Sequence, residues 1–205
     1  MIDTMSKGGI VVKKKEMTKL RVDGAFVSAT MLILVPQEIV RYKTQDKDGY
    51  SAVVVWVDKK ELKNKKKWNK IKYAKTTEFY IDDDFSQTYK VGENLDIKLL
   101  ENVDTITTIS NAKGKWFQWA MKRFHLKGWP KTHGSKFHRQ VGSLGNRKPR
   151  RVQKWHPHAG RMWGQQITLK KIKILDKVVD NNEQIIVVKG SIPGAYNDFI
   201  KLVLE

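Results

Sequence analysis

The sequence predicts a mainly β protein in which two strand-rich stretches close one globular domain and a long, basic, largely irregular segment is inserted between them. Three observations predict it. Runs of β-branched and aromatic residues, separated by turn residues, recur toward both ends of the chain. In the middle this alternation fades, because Gly and Pro recur at Gly114, Gly128, Pro130, Gly134, Gly142, Gly145, Pro149, Pro157, Gly160 and Gly164. No Asp or Glu lies between Asp104 and Asp176, yet those 71 residues hold 17 Lys and Arg and all 5 His.

In chain order, Phe26 to Val35, Glu38 to Lys43 and Ser51 to Val57 read as strands, with Asp46-Lys47-Asp48-Gly49 as a turn, which is the start of a meander or barrel. Lys59 to Lys75 carries 9 Lys against the single acid Glu61, with apolar residues too sparse for a helix face. It is a second, weaker basic patch. Glu78 to Ile81, Tyr89 to Val91 and Leu95 to Leu100 read as short strands, the last two joined by a Gly92-Glu93-Asn94 turn. Within the basic segment one short helix fits, near Trp116 to Leu126, with Phe117, Met121 and Phe124 on one face. Alternation returns at Ile167, Leu169, Ile172 and Ile174, then Gln184 to Lys189, a turn from Gly190 to Gly194, and Phe199 to Leu204. Residues 1–104 and 167–205 together are expected to form the globular domain, and 105–166 the insertion. A connection of this length inside a compact domain is unusual unless a partner orders it.

Charge says what that partner is. Of the net +19 of the 205-residue chain, +17 falls between Asp104 and Asp176. A surface charged only for solubility mixes both signs, whereas a long cationic stretch repels itself until a polyanion lies against it. Nucleic acid is the expected counterpart. The absence of Cys excludes disulfides and thiolate zinc sites and fits a reducing, cytoplasmic setting. The longest apolar run, Ala25 to Pro36, is too short to span a bilayer, and Met1 to Glu16 lacks the zones of a secretory signal. Neither a membrane nor a small-molecule substrate is expected as a partner.

The cations fall in three clusters: Lys113, Lys115, Lys122, Arg123 and Lys127; Lys131, Lys136 and Arg139; and Arg147, Lys148, Arg150, Arg151, Lys154 and Arg161. Gly and small residues between them let backbone approach phosphate, and Arg both pairs phosphates bidentately and stacks on bases. His133, His138, His156 and His158 suggest a metal only until the ligand set is counted: no Cys exists, and no carboxylate lies nearby to complete it. Hydrogen bonding to phosphate or a 2′-hydroxyl suits these four imidazoles better, and His125 as well. No metal, cofactor or catalytic residue is therefore assigned. A His-dependent RNA-processing nuclease and a free nucleic-acid-binding protein remain the competing classes. Gly142-Ser143-Leu144-Gly145 is too short for a nucleotide-binding loop and reads as a tight turn, with Pro149 stiffening the return.

Several ordered motifs then become specific. Thr132-His133-Gly134, His138-Arg139, Gly142-Ser143-Leu144-Gly145 and Ala159-Gly160-Arg161-Met162 resemble the central extension of ribosomal protein L-three of the large subunit. Lys113-Gly114-Lys115 leading to Lys122-Arg123 is similar to that family's signature, Met17-Thr18 to its N-terminal strand, and Val188 to Gly194 to its C-terminal strand and turn. The resemblance covers nearly the whole chain. It implies a six-stranded Greek-key barrel of the kind shared with translation factors. A basic finger would run from it into large-subunit rRNA toward the peptidyl-transferase centre, with Gly145, Asn146, Arg147, Lys148, Pro149, Arg150 and Arg151 at its tip. It also implies rRNA binding early in assembly, neighbouring ribosomal proteins as further partners, and no catalysis. The tip offers no counterpart to the Gln that many bacterial members methylate.

A second departure concerns Trp116, Trp119, Trp129, Trp155 and Trp163, which stand where members of the family carry Gly. One account is a gene from a lineage that reads UGA as Gly, translated with a code that reads it as Trp; Trp56 and Trp68 would then be suspect too. The other is that the indoles stack on splayed rRNA bases, each contributing roughly 1 to 3 kcal/mol.

Overall fold

The computed structural model describes residues 8–61, 71–145, 151, 154–180 and 183–204. Strand-forming sequence dominates it. The strands are β1 (Gly9–Val22), β2 (Ala25–Leu34), β3 (Gln37–Lys43), β4 (Ala52–Glu61), β5 (Ile71–Tyr80), β6 (Thr105–Asn111), β7 (Phe117–Gln118), β8 (Gly160–Arg161), β9 (Gln166–Asp180), β10 (Glu183–Lys189) and β11 (Phe199–Leu204). The helices are short: α1 (Gln45–Asp48), α2 (Asp83–Thr88) and α3 (Ala120–Arg123), with a 3-10 turn at Ile97–Leu100.

Six strands close into an antiparallel ring in the order β1-β11-β6-β9-β10-β2. β6, β9 and β10 are successive neighbours and β11 returns beside β6, which is the Greek-key order. Closure removes exposed sheet edges, and the ring bends at register shifts in the β1–β2, β6–β9 and β9–β10 ladders. Period-2 alternation supplies the core: Ile200, Leu202 and Leu204 point inward from β11, meeting Ile10, Val12, Leu32, Ile106, Ile186 and Val188. A second sheet, β3-β4-β5, buries Ile39, Val53, Val55, Val57 and Phe79 in the same cluster. Gly9 is required at this junction, because a Cβ there would sit 2.3 Å from both the Leu202 carbonyl oxygen and a Phe79 ring carbon.

Residues 1–111 and 166–205 make one compact unit and 112–165 another. The expected insertion starts at Thr105, but Thr105–Asn111 is a strand of the ring, its β-branched Thr-Ile-Thr-Thr-Ile run placing Ile106 and Thr108 at 0% exposure. Other local expectations also change. β1 is a 14-residue strand that the dense charges from Lys13 to Arg21 hide. Asp46 to Gly49 closes as a short helix ending in Gly49 at φ +79°, and Tyr89 to Val91 is not a strand. Leu95 to Leu100 forms the 3-10 turn in place of a strand, with Leu95 and Leu100 as apolar plugs. The Lys59 to Lys75 patch is partly strand: Lys59 and Lys60 of β4 pair with Tyr73 and Lys72 of β5. Residues 62–70 lie outside the described residues.

Candidate nucleic-acid interface

The unit at residues 112–165 is held by few contacts, all consistent with a sequence short of apolar residues and rich in Gly. At its base the Ala112 N–H donates to the Gln165 carbonyl at 2.9 Å. The Lys115 N–H donates to Met162 O and the Met162 N–H to Trp116 O, both at 3.0 Å, and β7 then pairs with β8 through Phe117–Arg161 and Gln118–Gly160. Ala120, Met121 and Met162 are buried, and Trp129 meets Phe137 edge-on at 5.7 Å. The helix expected over Trp116 to Leu126 shrinks to α3. Met121 is buried but Phe117 and Phe124 are exposed, so the three share no face. Arg123 is structural in part: its Nη1 donates to the His158 carbonyl at 3.0 Å across the β8 side of the unit.

The other cations face outward. Lys113, Lys115, Lys122, Lys127, Lys131, Lys136, Arg139, Arg151, Lys154 and Arg161 are exposed, as are His133 and Gly145, while Arg123 and His138 are half-buried. His138 is fixed by contact of its Nδ1 with the Pro130 carbonyl at 2.8 Å, and its own carbonyl accepts the Trp129 N–H at 3.1 Å. Asn146, Arg147, Lys148, Pro149 and Arg150 of the expected tip lie outside the described residues. Lys170, Lys171 and Lys173 on β9 belong to the same acid-free window and are exposed too; membership of that window was the signal that would have added them.

Counter-charge inside this unit is missing by sequence, since it contains no carboxylate side chain. Among the described residues the ion pairs, Lys13–Asp58 at 2.7 Å and Lys43–Glu78 at 2.9 Å, both lie in the ring-bearing unit. No group of three or more ligating side chains gathers among the described residues. The His156 and His158 rings stand 6.1 Å apart. An open cleft of about 620 Å³ is lined by Trp119, Arg139, Leu144, Pro157 and His158, with no carboxylate that would orient an imidazole for acid–base work. What the arrangement offers is a dense array of exposed cations on a thinly cored scaffold, chemistry suited to phosphates.

The chain thus joins a closed β ring to an acid-free unit that presents exposed cations. Comparison gives it a family. The family model described as Ribosomal protein L3 matches residues 72–184. Large ribosomal subunit protein uL3 of Borreliella burgdorferi (strain ZS7) is 33% identical over 199 residues, covering 94% of this chain and 96% of that protein. The protein of the same name from Natranaerobius thermophilus is 35% identical over 207 residues, covering 96% of each. That from Streptococcus pyogenes serotype M6 is 34% identical over 199 residues, covering 95% of each. The chain belongs to the ribosomal protein L3 family.

Proposed function

We propose that this chain is a structural protein of the large ribosomal subunit, cytoplasmic, that binds large-subunit rRNA early in assembly and catalyses nothing itself. The ring-bearing domain, residues 1–111 and 166–205, sits at the subunit surface beside neighbouring ribosomal proteins. The extension runs inward toward the peptidyl-transferase centre, with Gly145 to Arg151 nearest it. Lys113, Lys115, Lys122, Arg123, Lys127, Lys136, Arg139, Arg147, Lys148, Arg150, Arg151, Lys154 and Arg161 neutralise phosphates, and His133 and His138 hydrogen-bond to phosphate or ribose. Recognition is by shape and backbone charge, not base edges. Membership of the family supports this reading. The observation that carries it is the outward-facing cation array without one acidic residue in its unit.

Sedimentation of a cell extract is the test. The protein is expected to run with large subunits and their precursors, and to be stripped from them by high salt. Sedimentation with DNA, or RNA cleavage by the pure protein that is lost in His133→Ala, would replace the proposal with one of its competitors.

A further inference from the structure

Among the described residues, nine other than Gly have φ in the left-handed region. Asp23, Asp58, His125, His133 and Asn197 are of the types whose short polar side chains tolerate it. Lys171 lies where the β6–β9 register shifts. The remaining three are Trp116 at +57°, Trp155 at +69° and Trp163 at +63°. For a bulky side chain this backbone is an outlier that surrounding packing must impose. Packing does not impose it at Trp116, 87% exposed, or at Trp155, 96% exposed, and Trp163 is 46% exposed. Trp56 is the internal control: it lies within β4, paired with Thr76 of β5, and its ring stacks on Tyr73 at 4.3 Å. Trp119 has φ −66° ahead of α3, and Trp129 packs on Phe137, so neither demands Gly.

We propose that positions 116, 155 and 163 are glycine in the protein its own cells make, and that glycine at 163 opens an RNA-phosphate site between Lys115 and Arg161. The phosphate part rests on the rRNA-binding reading. As written, the Trp163 ring covers the Lys115 ammonium at 4.3 Å from its centroid, a cation–π contact that competes with phosphate. Arg161 folds over Gly164, its Nη2 3.1 Å from where a Cβ there would sit. Lys115 therefore meets the side chain of residue 163 and Arg161 the backbone of residue 164, just past the β7–β8 ladder. Removing the indole bares that backbone and frees Lys115 together, and phosphate is the anion in contact range when rRNA lies against the unit.

Tandem mass spectrometry of the protein extracted from native large subunits decides the residue identities. Gly is expected at 116, 155 and 163 with Trp retained at 56; Trp at 163 in the native peptide overturns the proposal. The full chain as written and its Trp163→Gly variant are then titrated with a large-subunit rRNA transcript across a salt series. The variant is expected to bind more tightly, with a slope of log K against log salt steeper by roughly 0.7 to 0.9, one added phosphate contact. Equal slopes overturn the phosphate site. Absence of rRNA binding by both forms instead sinks the rRNA-binding reading and leaves the residue identities to the mass spectrum.

Discussion

Gln37 is a polar side chain at 2% exposure with both ends of its amide used: Oε1 accepts the Val11 N–H at 2.9 Å, and Nε2 donates to the Val11 carbonyl at 3.4 Å. It ties the first residue of β3 to β1 and so joins the second sheet to the ring. Gln37→Leu keeps the bulk but strands two backbone groups, and is expected to cost about 1 to 3 kcal/mol in urea unfolding. Lys201 is the opposite case, a cation whose burial works against its charge. Its Nζ donates to the Glu78 carbonyl and lies 4.7 Å from the Phe79 ring centroid. Desolvation pulls its pKa below the usual 10.5, partly offset by Glu78 and reinforced by Lys75. Between the lowered folded value and 10.5 the unfolded chain binds more protons than the folded one, so this group's penalty is full at neutral pH and fades as pH rises through that window. Lys201→Met lacks the effect. Its stability relative to the parent is therefore expected to be highest near neutral pH and to fall toward pH 10.5; a pH-independent difference would refute this.

Among the elements, strands whose inward residues alternate were legible, as in β11, where Ile200, Leu202 and Leu204 face the core. β1 was legible only through the resemblance at Met17-Thr18, because the run Lys13-Lys14-Lys15-Glu16 interrupts the apolar pattern after the buried Ile10, Val11 and Val12 of the same strand. β6 was taken for insertion because the acid-free window opens after Asp104, and the charge pattern does not show that Ile106, Thr107 and Thr108 are buried in the ladder. The cations of the candidate interface could be read directly, since exposure of Lys and Arg needs no tertiary information. The contacts that hold them in place could not, because they are made by backbone at Lys115, Met162 and His138. Gly128 shows how tight those contacts are: at φ +75°, an added Cβ would lie 2.9 Å from the His138 carbonyl oxygen and from the Met121 methyl. Gly128→Ala is expected to loosen the 112–165 unit by roughly 1 to 3 kcal/mol while the ring stays intact. Protease cleavage confined to residues 112–165 is the readout. In the free parent protein, amides from Lys127 to Gly145 should already exchange faster than those of β10 and β11, since only Ala112, Ala120, Met121 and Met162 are buried in that unit among the described residues. Equal protection would mean the unit has a core of its own.

At the scale of the whole molecule, the division of charge and the division of apolar burial coincide. The ring-bearing unit holds all the acidic residues and the main hydrophobic cluster, whereas the unit at 112–165 holds cations and a minimal core. Such a unit cannot neutralise itself, and its exposed cations remain available to a polyanion. If about 10 of them meet phosphates, log K for rRNA should fall with log salt at a slope of roughly −7 to −9. Lys122→Ala, Lys136→Ala and Arg139→Ala remove exposed side chains that support no described hydrogen bond, so folding should survive. Each should flatten the slope by about 0.7 to 0.9 and weaken binding to all RNA sequences alike. Arg123→Ala should behave differently, since its guanidinium also holds the His158 carbonyl; it is expected to lower protease resistance of the unit along with affinity. Titration of the four variants against one rRNA transcript at several salt concentrations separates the roles. A slope unchanged by the three outward-facing substitutions would mean that these cations do not touch phosphate.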